Sequence, residues 1–313
     1  MTKIKAWIAA ARLRTLPLSV SGIIVGASFG NAALYPSTLH IFVGGGVIPF
    51  WKSSFFWLAI LVTIGFQVLS NFANDYGDGI RGTDAKRTGE KRMVASGIIS
   101  PKQMKTGMII TGIITFFLAT ILIFLAFGNT NFFISFIFFN LAILSIIAAV
   151  KYTVGKKAYG YSGLGDVFVF LFFGILSVLG SYFLYVHSLH WQLSLPATAI
   201  GCFSTAVLNL NNMRDIESDT LAGKNTLVVK IGSRRAKRYH AFLLLFGMVC
   251  AIVFSLLNYV QPLQFIYIIA FIPFLLNIKT VFKNKVPMLL DSELKKIALS
   301  TFLFAILFSI FMK

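Results

Sequence analysis

The chain has 313 residues, of which 57% are hydrophobic and 12% are charged. Soluble globular domains carry about 25% charged residues, so this composition, with a mean hydropathy of +0.83, excludes an ordinary soluble domain and indicates an integral membrane protein. The net charge of +18 fits attraction to anionic lipid or ligand and gives no support to nucleic-acid binding. Both cysteines lie in apolar runs and indicate neither a disulfide framework nor a metal site.

Apolar runs of about 17 to 25 residues, each long enough to cross the hydrocarbon core as a helix, follow one another along the chain. The sequence predicts an all-α integral membrane protein in which nine transmembrane helices surround a central cavity, with residues 1–313 as a single domain. The predicted helices cover residues 16–34, 54–73, 107–127, 132–150, 164–186, 195–212, 241–258, 263–280 and 297–312.

The basic residues favour one orientation of these helices. Of the 28 Lys and Arg residues, 26 fall in alternate segments on the same side as the N-terminus. Short cytoplasmic loops carry such an excess. The N-terminus is therefore predicted to be cytoplasmic and, after nine crossings, the C-terminus is predicted to lie outside.

The first predicted helix follows two cations and contains a stripe of glycines. Arg12 and Arg14 are expected at its cytoplasmic end. Gly22, Gly26 and Gly30 recur every four residues. Because small residues at this spacing let two helix backbones approach closely, the stripe predicts close helix packing rather than a ligand site.

The second predicted helix ends in a polar stretch, NFANDYGDGIRGTD, from Asn71 to Asp84. This stretch holds three aspartates in a chain with only ten acidic residues. Asp75 and Asp78 are three residues apart, so a helix presents their carboxylates about one turn apart on one face. The following loop is long and basic, which is typical of a functional loop, and it brings Arg92 towards the acidic stretch.

A single acid, Asp166, is expected in the first turn of the fifth predicted helix. An ionisable residue at the membrane boundary is a functional candidate. The dipole of a helix also stabilises a carboxylate at its N-terminus. Both interpretations of Asp166 stay open at the level of sequence.

A second acidic stretch, NNMRDIESD from Asn211 to Asp219, ends the sixth predicted helix and is again followed by basic residues. Asp215 and Asp219 are four residues apart and can share a helix face. Four crossings separate this stretch from the first, so both are predicted on the cytoplasmic face. Residues 71–106 and 211–240 are expected to form a cap there.

The two clusters together predict a site for a divalent metal and a diphosphate. Carboxylates so placed repel one another unless a cation lies between them. Oxygen ligands without nearby His or Cys favour Mg²⁺, which shares its shell with water, one or two carboxylates and substrate phosphates. Nearby cations can neutralise the remaining diphosphate oxygens. The predicted site comprises Asp75, Asp78, Asp215 and Asp219, the amides of Asn71, Asn74, Asn211 and Asn212, and the cations Arg92, Arg214 and Lys224.

A structural interpretation of the same residues is the alternative. Stretches rich in Asn, Asp and Gly form Asx turns and helix caps, and the cations could serve topology alone. Asp291 and Glu293, in the last basic loop, are expected to cap the ninth predicted helix in this way. Two acidic clusters on one face of a chain with ten acids favour the metal site.

A metal-bound diphosphate beside an apolar helical bundle suits a long isoprenoid diphosphate as substrate. Loss of the diphosphate generates an allylic cation, which the faces of Phe and Tyr rings stabilise, and an electron-rich aromatic ring would then be prenylated. A cation-coupled membrane transporter is the alternative of another class. It predicts charged residues deep within several helices, whereas here they cluster at one interface.

The segments NDYGDGIRGTD and RDIESD resemble the two aspartate-rich motifs of the UbiA superfamily of intramembrane aromatic prenyltransferases, a family of nine-helix proteins. RTLPLSVSGIIVG, GLGDVFVFLFFG and NNMRDIESDTLAGKNTLVVKIG resemble its 1,4-dihydroxy-2-naphthoate polyprenyltransferase branch, and the likeness extends to Gly232. The chain departs from the wider superfamily at Gly82, where a third acid is often found; Asp84 follows two residues later.

The resemblance implies transfer of a polyprenyl group from polyprenyl diphosphate to 1,4-dihydroxy-2-naphthoate, with loss of the ring carboxylate as CO₂, giving demethylmenaquinone for menaquinone biosynthesis. It implies a bacterial cytoplasmic membrane protein whose active site faces the cytoplasm. Another acceptor, such as 4-hydroxybenzoate, a porphyrin or a chlorin, stays an alternative, and prenyl length and oligomeric state are left open. By the same resemblance Asp75, Asp78, Asp215 and Asp219 bind Mg²⁺ and diphosphate, Asn71, Arg92 and Lys224 lie at the diphosphate, and Arg14 and Asp166 lie near the acceptor.

Overall fold

The computed structural model describes residues 2–34, 49–82, 92–128, 131–155 and 158–311. Within these ranges the regular structure is entirely helical, which confirms the predicted all-α class. Short helical turns and a π-helical segment, Phe170–Leu176, join the α-helices. These are α1 (Lys3–Ala11), α2 (Leu16–Leu34), α3 (Ser54–Arg81), α4 (Pro101–Phe127), α5 (Phe132–Lys151), α6 (Gly165–Val169), α7 (Ser177–Val186), α8 (Ser194–Arg214), α9 (Ile216–Leu221), α10 (Leu227–Leu257), α11 (Phe271–Lys283) and α12 (Asp291–Phe311).

Eight helical stretches among the described residues are long and apolar enough to cross a membrane. α12 is not one of them, and four of its first six residues, Asp291, Glu293, Lys295 and Lys296, are charged. The predicted count of nine and the orientation of the termini are therefore not confirmed. The eight stretches are Lys3–Leu34, Ser54–Arg81, Pro101–Phe127, Phe132–Lys151, Gly165–Val186, Trp191–Arg214, Leu227–Leu257 and Pro262–Lys283.

The glycine stripe of α2 packs against α7 and the π-helical segment before it. A Cβ atom on Gly26 would lie 2.2 Å from the backbone oxygen of Val178, and one on Gly30 would lie 2.9 Å from Cβ of Tyr185. Any side chain at these positions would force the two backbones apart. The close helix packing predicted from the spacing of the glycines is confirmed.

Helix α8 lies at the centre of the bundle. In its most apolar stretch 78% of the residues are buried, whereas the corresponding value for α5 is 11%. Phe203 of α8 is fully buried and contacts the ring of Phe274 in α11 at 4.5 Å and that of Phe304 in α12 at 5.2 Å between centroids. The second acidic cluster therefore follows the most buried helix and is held by its packing.

The first acidic cluster lies in the last two turns of α3. The helix ends because Gly82 adopts a left-handed conformation, with φ of 73°, and its amide donates to the carbonyl oxygens of Asp78 and Gly79. Asp75 and Asp78 precede this end and are almost completely buried, at 2% exposure each. Both carboxylates therefore lie inside the protein and away from bulk solvent.

Candidate active site

A cavity of about 390 Å³ lies between α2, α3, α5, α7, α8 and the first turns of α12. Along α3 its lining runs from Ala59 to Asp78, a rise of roughly 28 Å at 1.5 Å per residue. The end near Ala59 is lined by apolar side chains, and we call the opposite end the polar end. Besides Asp78, the polar end is lined by Arg12, Arg14, Asn71, Asn74, Arg92, Asn211, Asn212, Lys224 and Lys295.

The predicted site residues divide between this lining and the layer behind it. Eight of them line the cavity, and five, although buried, do not. Those that line it are Arg14, Asn71, Asn74, Asp78, Arg92, Asn211, Asn212 and Lys224, and those behind it are Asp75, Asp166, Arg214, Asp215 and Asp219.

Asp78 is the aspartate that reaches the cavity from α3. The hydroxyl of Tyr161 donates to its Oδ1 at 2.7 Å, and a guanidinium nitrogen of Arg92 lies 3.6 Å from its Oδ2. Arg92 is itself 7% exposed and lines the cavity. A buried carboxylate and a buried cation thus lie side by side at the polar end.

Asp75 binds the backbone of the segment that carries Arg92. The amides of Met93 and Val94 donate to its two carboxylate oxygens, each at 2.9 Å. Both oxygens are therefore directed towards the chain entering the turn before α4. Although Asp75 and Asp78 are one turn apart, Asp75 fixes this segment while Asp78 faces the cavity.

In the second cluster both aspartates are paired with cations. Arg214 donates to both oxygens of Asp215 at 2.7 Å, and also to Oδ1 of Asn211 at 2.7 Å. Lys224 lies 3.6 Å from Asp219. The side chain of Arg214 is fully buried and does not line the cavity. It contacts neighbouring side chains, and its contact with a diphosphate stays a prediction.

Tyr161 connects the two clusters. Its hydroxyl binds Asp78 of α3, while its ring lies under Arg81 at 4.2 Å and under Lys224 at 5.5 Å from the centroid. Since Lys224 pairs with Asp219, a chain of contacts joins the first cluster to the second. This contact chain agrees with the prediction that both clusters share one face.

A line of polar side chains continues from the polar end into the cavity. The amide of Gln67 donates to Thr15 at 3.3 Å and to Asn71 at 3.4 Å, and Ser19 donates to Gln67 at 3.0 Å. Asn71 in turn donates to the carbonyl of Ala11 at 2.9 Å. The network fixes the amide of Asn71 between α1 and α3.

Asp166 lies in the first turn of α6, behind the cavity wall, and is 5% exposed. Its side chain is hydrogen-bonded with Tyr239 of α10, and Thr205 of α8 donates to its backbone oxygen at 3.5 Å. It holds α6 against α8 and α10 and does not line the cavity. The two interpretations of Asp166 from sequence, as a functional residue and as a helix-stabilising carboxylate, both place it at the start of a helix, and it lies there in the structure.

Aromatic side chains form one wall of the cavity, and sequence reasoning had not singled them out. Tyr152 and Tyr159 meet edge to face at 5.2 Å, Tyr159 stacks on Phe168 at 3.9 Å, and Phe168 stacks on Phe172 at 6.1 Å. Burial raises the pKa of Tyr152 and Tyr159 above the usual value for a phenol, and the carboxylates of Asp166, Asp78 and Asp219 add to the shift at Tyr152. Both phenols stay protonated, so they offer uncharged, electron-rich ring faces.

The polar end suits Mg²⁺ that shares its shell with a phosphate ligand. Among the described residues no three His, Cys, Asp or Glu side chains form a metal-binding group. The available donors are one lining carboxylate, Asp78, and the side-chain oxygens of lining asparagines. These are hard oxygen ligands, and Mg²⁺ accepts one or two carboxylates when phosphate and water complete its octahedral shell. The residues therefore fit the ion together with a diphosphate.

The third aspartate of the first stretch, Asp84, lies outside the described residues, as do the cations Lys86, Arg87 and Lys91 of the same loop. The predicted cap over residues 71–106 is accordingly described only for 71–82 and 92–106. The segment 92–99 folds as turns against α3 through Asp75.

Comparison with known proteins gives the context of this site. The UbiA prenyltransferase family matches residues 33–289. The chain is 38% identical over 309 residues to a 1,4-dihydroxy-2-naphthoate octaprenyltransferase of Haemophilus influenzae, covering 98% of this chain and 96% of the relative. It is 42% identical over 263 residues to the protein of the same description from Escherichia coli, covering 82% and 79% of the two chains.

A solved structure has the same fold. It is described as a digeranylgeranylglyceryl phosphate synthase in membranes, and it aligns with 99% of both chains at a TM-score of 0.58 and 18% identity. At this identity the likeness concerns the fold alone. Because the family match covers most of the sequence and includes both acidic clusters, the chain belongs to the UbiA prenyltransferase family.

Proposed function

We propose that this chain transfers a polyprenyl group from a polyprenyl diphosphate to 1,4-dihydroxy-2-naphthoate. The carbon–oxygen bond to the diphosphate breaks, a carbon–carbon bond to the ring forms, and the ring carboxylate leaves as CO₂. The immediate product is the quinol form of demethylmenaquinone, because these steps involve no net oxidation. Support comes from the two relatives that carry this description at 38% and 42% identity, and family membership favours this enzyme over a transporter.

The observation that carries the proposal is the polarity gradient of the cavity. Over roughly 28 Å of α3 its lining changes from apolar side chains near Ala59 to the carboxylate of Asp78 and the cations of the polar end. An isoprenoid chain fits the apolar part and a diphosphate fits the polar end. A polyprenyl diphosphate combines these two parts, a long apolar tail and a concentrated negative charge.

At the polar end, Arg92 and Lys224 would neutralise diphosphate oxygens, and Asp78 with Asn71, Asn74, Asn211 and Asn212 would hold Mg²⁺. Asp75, Asp215 and Asp219 support these residues from behind the lining. When bound, Mg²⁺ supplies positive charge that stabilises the departing diphosphate. Tyr152, Tyr159 and Phe168 would stabilise the allylic cation through their ring faces while their hydroxyls stay protonated.

The arrangement in the membrane is part of the proposal. We place α12 as the ninth crossing, since its residues 297–311 are apolar, and the single domain spans 1–313. The 26 basic residues on alternate segments favour a cytoplasmic N-terminus, an outer C-terminus and a polar end facing the cytoplasm of a bacterial inner membrane. Both substrates would then enter the site from the cytoplasmic side or from the lipid.

A transfer assay tests this function. Purified protein with 1,4-dihydroxy-2-naphthoate, a prenyl diphosphate and Mg²⁺ should release CO₂ and prenylated quinol in equal amounts, and excess EDTA should stop both. 4-Hydroxybenzoate in place of the naphthoate is the acceptor control. Prenylation of hydroxybenzoate but not of dihydroxynaphthoate contradicts the proposed acceptor, and full activity in EDTA contradicts the requirement for Mg²⁺.

A further inference from the structure

The start of the last helix reaches the second acidic cluster through one carboxylate. Oδ1 of Asp291 lies 2.5 Å from a guanidinium nitrogen of Arg214, and Oδ2 lies 3.7 Å from one of Arg14. Arg214 simultaneously binds both oxygens of Asp215 and the amide oxygen of Asn211. Asp291 thus closes a network that joins the turn before α2 and the start of α12 to the end of α8.

The first turns of α12 present two different faces. Leu294, Lys295 and Ala298 line the cavity, and Asp291 precedes them at the three- and four-residue spacing of the same helix face. Glu293 lies on the other side, where it accepts a hydrogen bond from Asn277 at 2.7 Å. Asp291 is therefore the acidic residue on the face of α12 that is directed towards the polar end.

The charges in the network determine what Asp291 contributes. Arg214 carries one positive charge between two carboxylates, so Asp215, Arg214 and Asp291 together carry one negative charge, which Arg14 balances from 3.7 Å on the other oxygen of Asp291. Without the Asp291 charge, Arg214 would pair with Asp215 alone, and Asp215, Arg214 and residue 291 together would be neutral. The Arg214 and Asp215 side chains are buried, whereas that of Asp291 is 41% exposed, so the change at Asp291 acts at short range on a pair that solvent screens little.

We propose that Asp291 is a positioning residue of the metal and diphosphate site: by taking part of the Arg214 charge, it leaves the negative charge of Asp215 available to attract the divalent cation. This role rests on the proposed function. It differs from helix capping, which concerns only the backbone of α12. The carboxylate of Asp291 in α12 thereby determines how strongly the polar end attracts a divalent cation relative to an anion.

The test is the isosteric change Asp291→Asn, which removes the charge but keeps the size and one side-chain oxygen. The Mg²⁺ concentration that gives half-maximal prenyl transfer should rise about fivefold, as expected for one unit of charge lost at short range. Binding of inorganic pyrophosphate in EDTA, measured by calorimetry, should become about threefold tighter, since the same change favours an anion. Asp291→Glu should return both values towards wild type.

A charge-matched control comes from α9. Glu217 is exposed and lies two residues after Asp215, so Glu217→Gln removes the same charge close by without touching Arg214. Glu217→Gln should shift the half-maximal Mg²⁺ concentration and the pyrophosphate affinity by much less than Asp291→Asn does. Equal shifts in the two variants would mean that the overall electrostatic field, and not the contact of Asp291 with Arg214, causes the change. That result would overturn the inference.

The opposite signs separate positioning from loss of structure. A misfolded or loosened variant weakens the response to Mg²⁺ and to pyrophosphate together. If Asp291→Asn weakens both, or changes neither, while wild type is active, the inference is wrong and the proposed function stands. If wild type transfers no prenyl group to any aromatic acceptor, the proposed function itself fails.

Discussion

At the scale of single residues, Asp75 and Asp78 differ in role although both are buried in α3. The backbone amides of Met93 and Val94 donate to the two carboxylate oxygens of Asp75. Replacing Asp75 with Asn would place an NH₂ group opposite one of these two amides. A buried donor left facing a donor costs about 1–3 kcal/mol, so the segment bearing Arg92 should loosen. We expect Asp75→Asn to lower kcat/KM for prenyl diphosphate by roughly 10- to 100-fold.

The control for this variant lies in the same segment. Ser96 donates to the carbonyl of Met93 at 3.3 Å and not to Asp75, so Ser96→Ala should leave kcat/KM within about twofold of wild type.

Asp75→Ala and Asp215→Ala are expected to abolish transfer while the protein still inserts. Near-normal turnover in either alanine variant contradicts the assignment of the metal site.

Tyr161 offers a second residue-scale prediction, because its hydroxyl and its ring have separate partners. Tyr161→Phe removes the hydrogen bond to Asp78 but keeps the ring beneath Arg81 and Lys224. A hydrogen bond to a charged group is worth about 1.5–3 kcal/mol, so transfer should slow by about tenfold or more. Tyr161→Leu should slow it further, because the cation–π contacts are lost as well.

Rates of these two variants at saturating Mg²⁺ check the assignment. If Tyr161→Phe and wild type have the same kcat/KM, the hydroxyl does not orient Asp78. If the phenylalanine and leucine variants are equally slow, the ring does not position the two cations.

At the scale of secondary-structure elements, the contact between α2 and α7 gives a prediction about stability. In Gly26→Ala the new methyl group would lie 2.2 Å from a backbone oxygen of α7, which cannot move without the helix. Overpacking of this kind costs about 1–3 kcal/mol, so the apparent Tm in detergent should fall by several degrees. The control is Gly112→Ala in α4, where the nearest atom is a flexible Leu69 methyl group at 3.9 Å; its Tm should stay at or above wild type.

The same elements show what sequence can and cannot reveal. The spacing of the α2 glycines predicted close packing because one helix face is a local property of sequence. The engagement of Asp75 with residues 93 and 94 depends on how a later segment folds back, so three-residue spacing alone suggested two equivalent ligands. Tyr161 was missed because tyrosine in a loop rich in Gly, Tyr and Lys has no distinguishing spacing.

At the scale of the whole molecule, the all-helical fold and the convergence of two distant acidic clusters follow from hydropathy and from the rarity of acids. The contribution of Asp291 could not be predicted, because an acid at a helix start is explained equally well as a cap. Only the packing of α12 against α8 brings it to Arg214. Long-range contacts of this kind are properties of the fold.

The orientation of the bundle leads to the last prediction. Ser96 is exposed at the polar end and Ser188 is exposed beyond the end of α7, at the opposite end of the bundle. After replacing both buried cysteines, Cys202 and Cys250, with alanine, we expect Ser188→Cys to react with a membrane-impermeant maleimide in intact cells. Ser96→Cys should react only after the membrane is opened, because a cytoplasmic polar end is closed to the outside; labelling of Ser96→Cys in intact cells, with Ser188→Cys protected, would reverse the proposed topology.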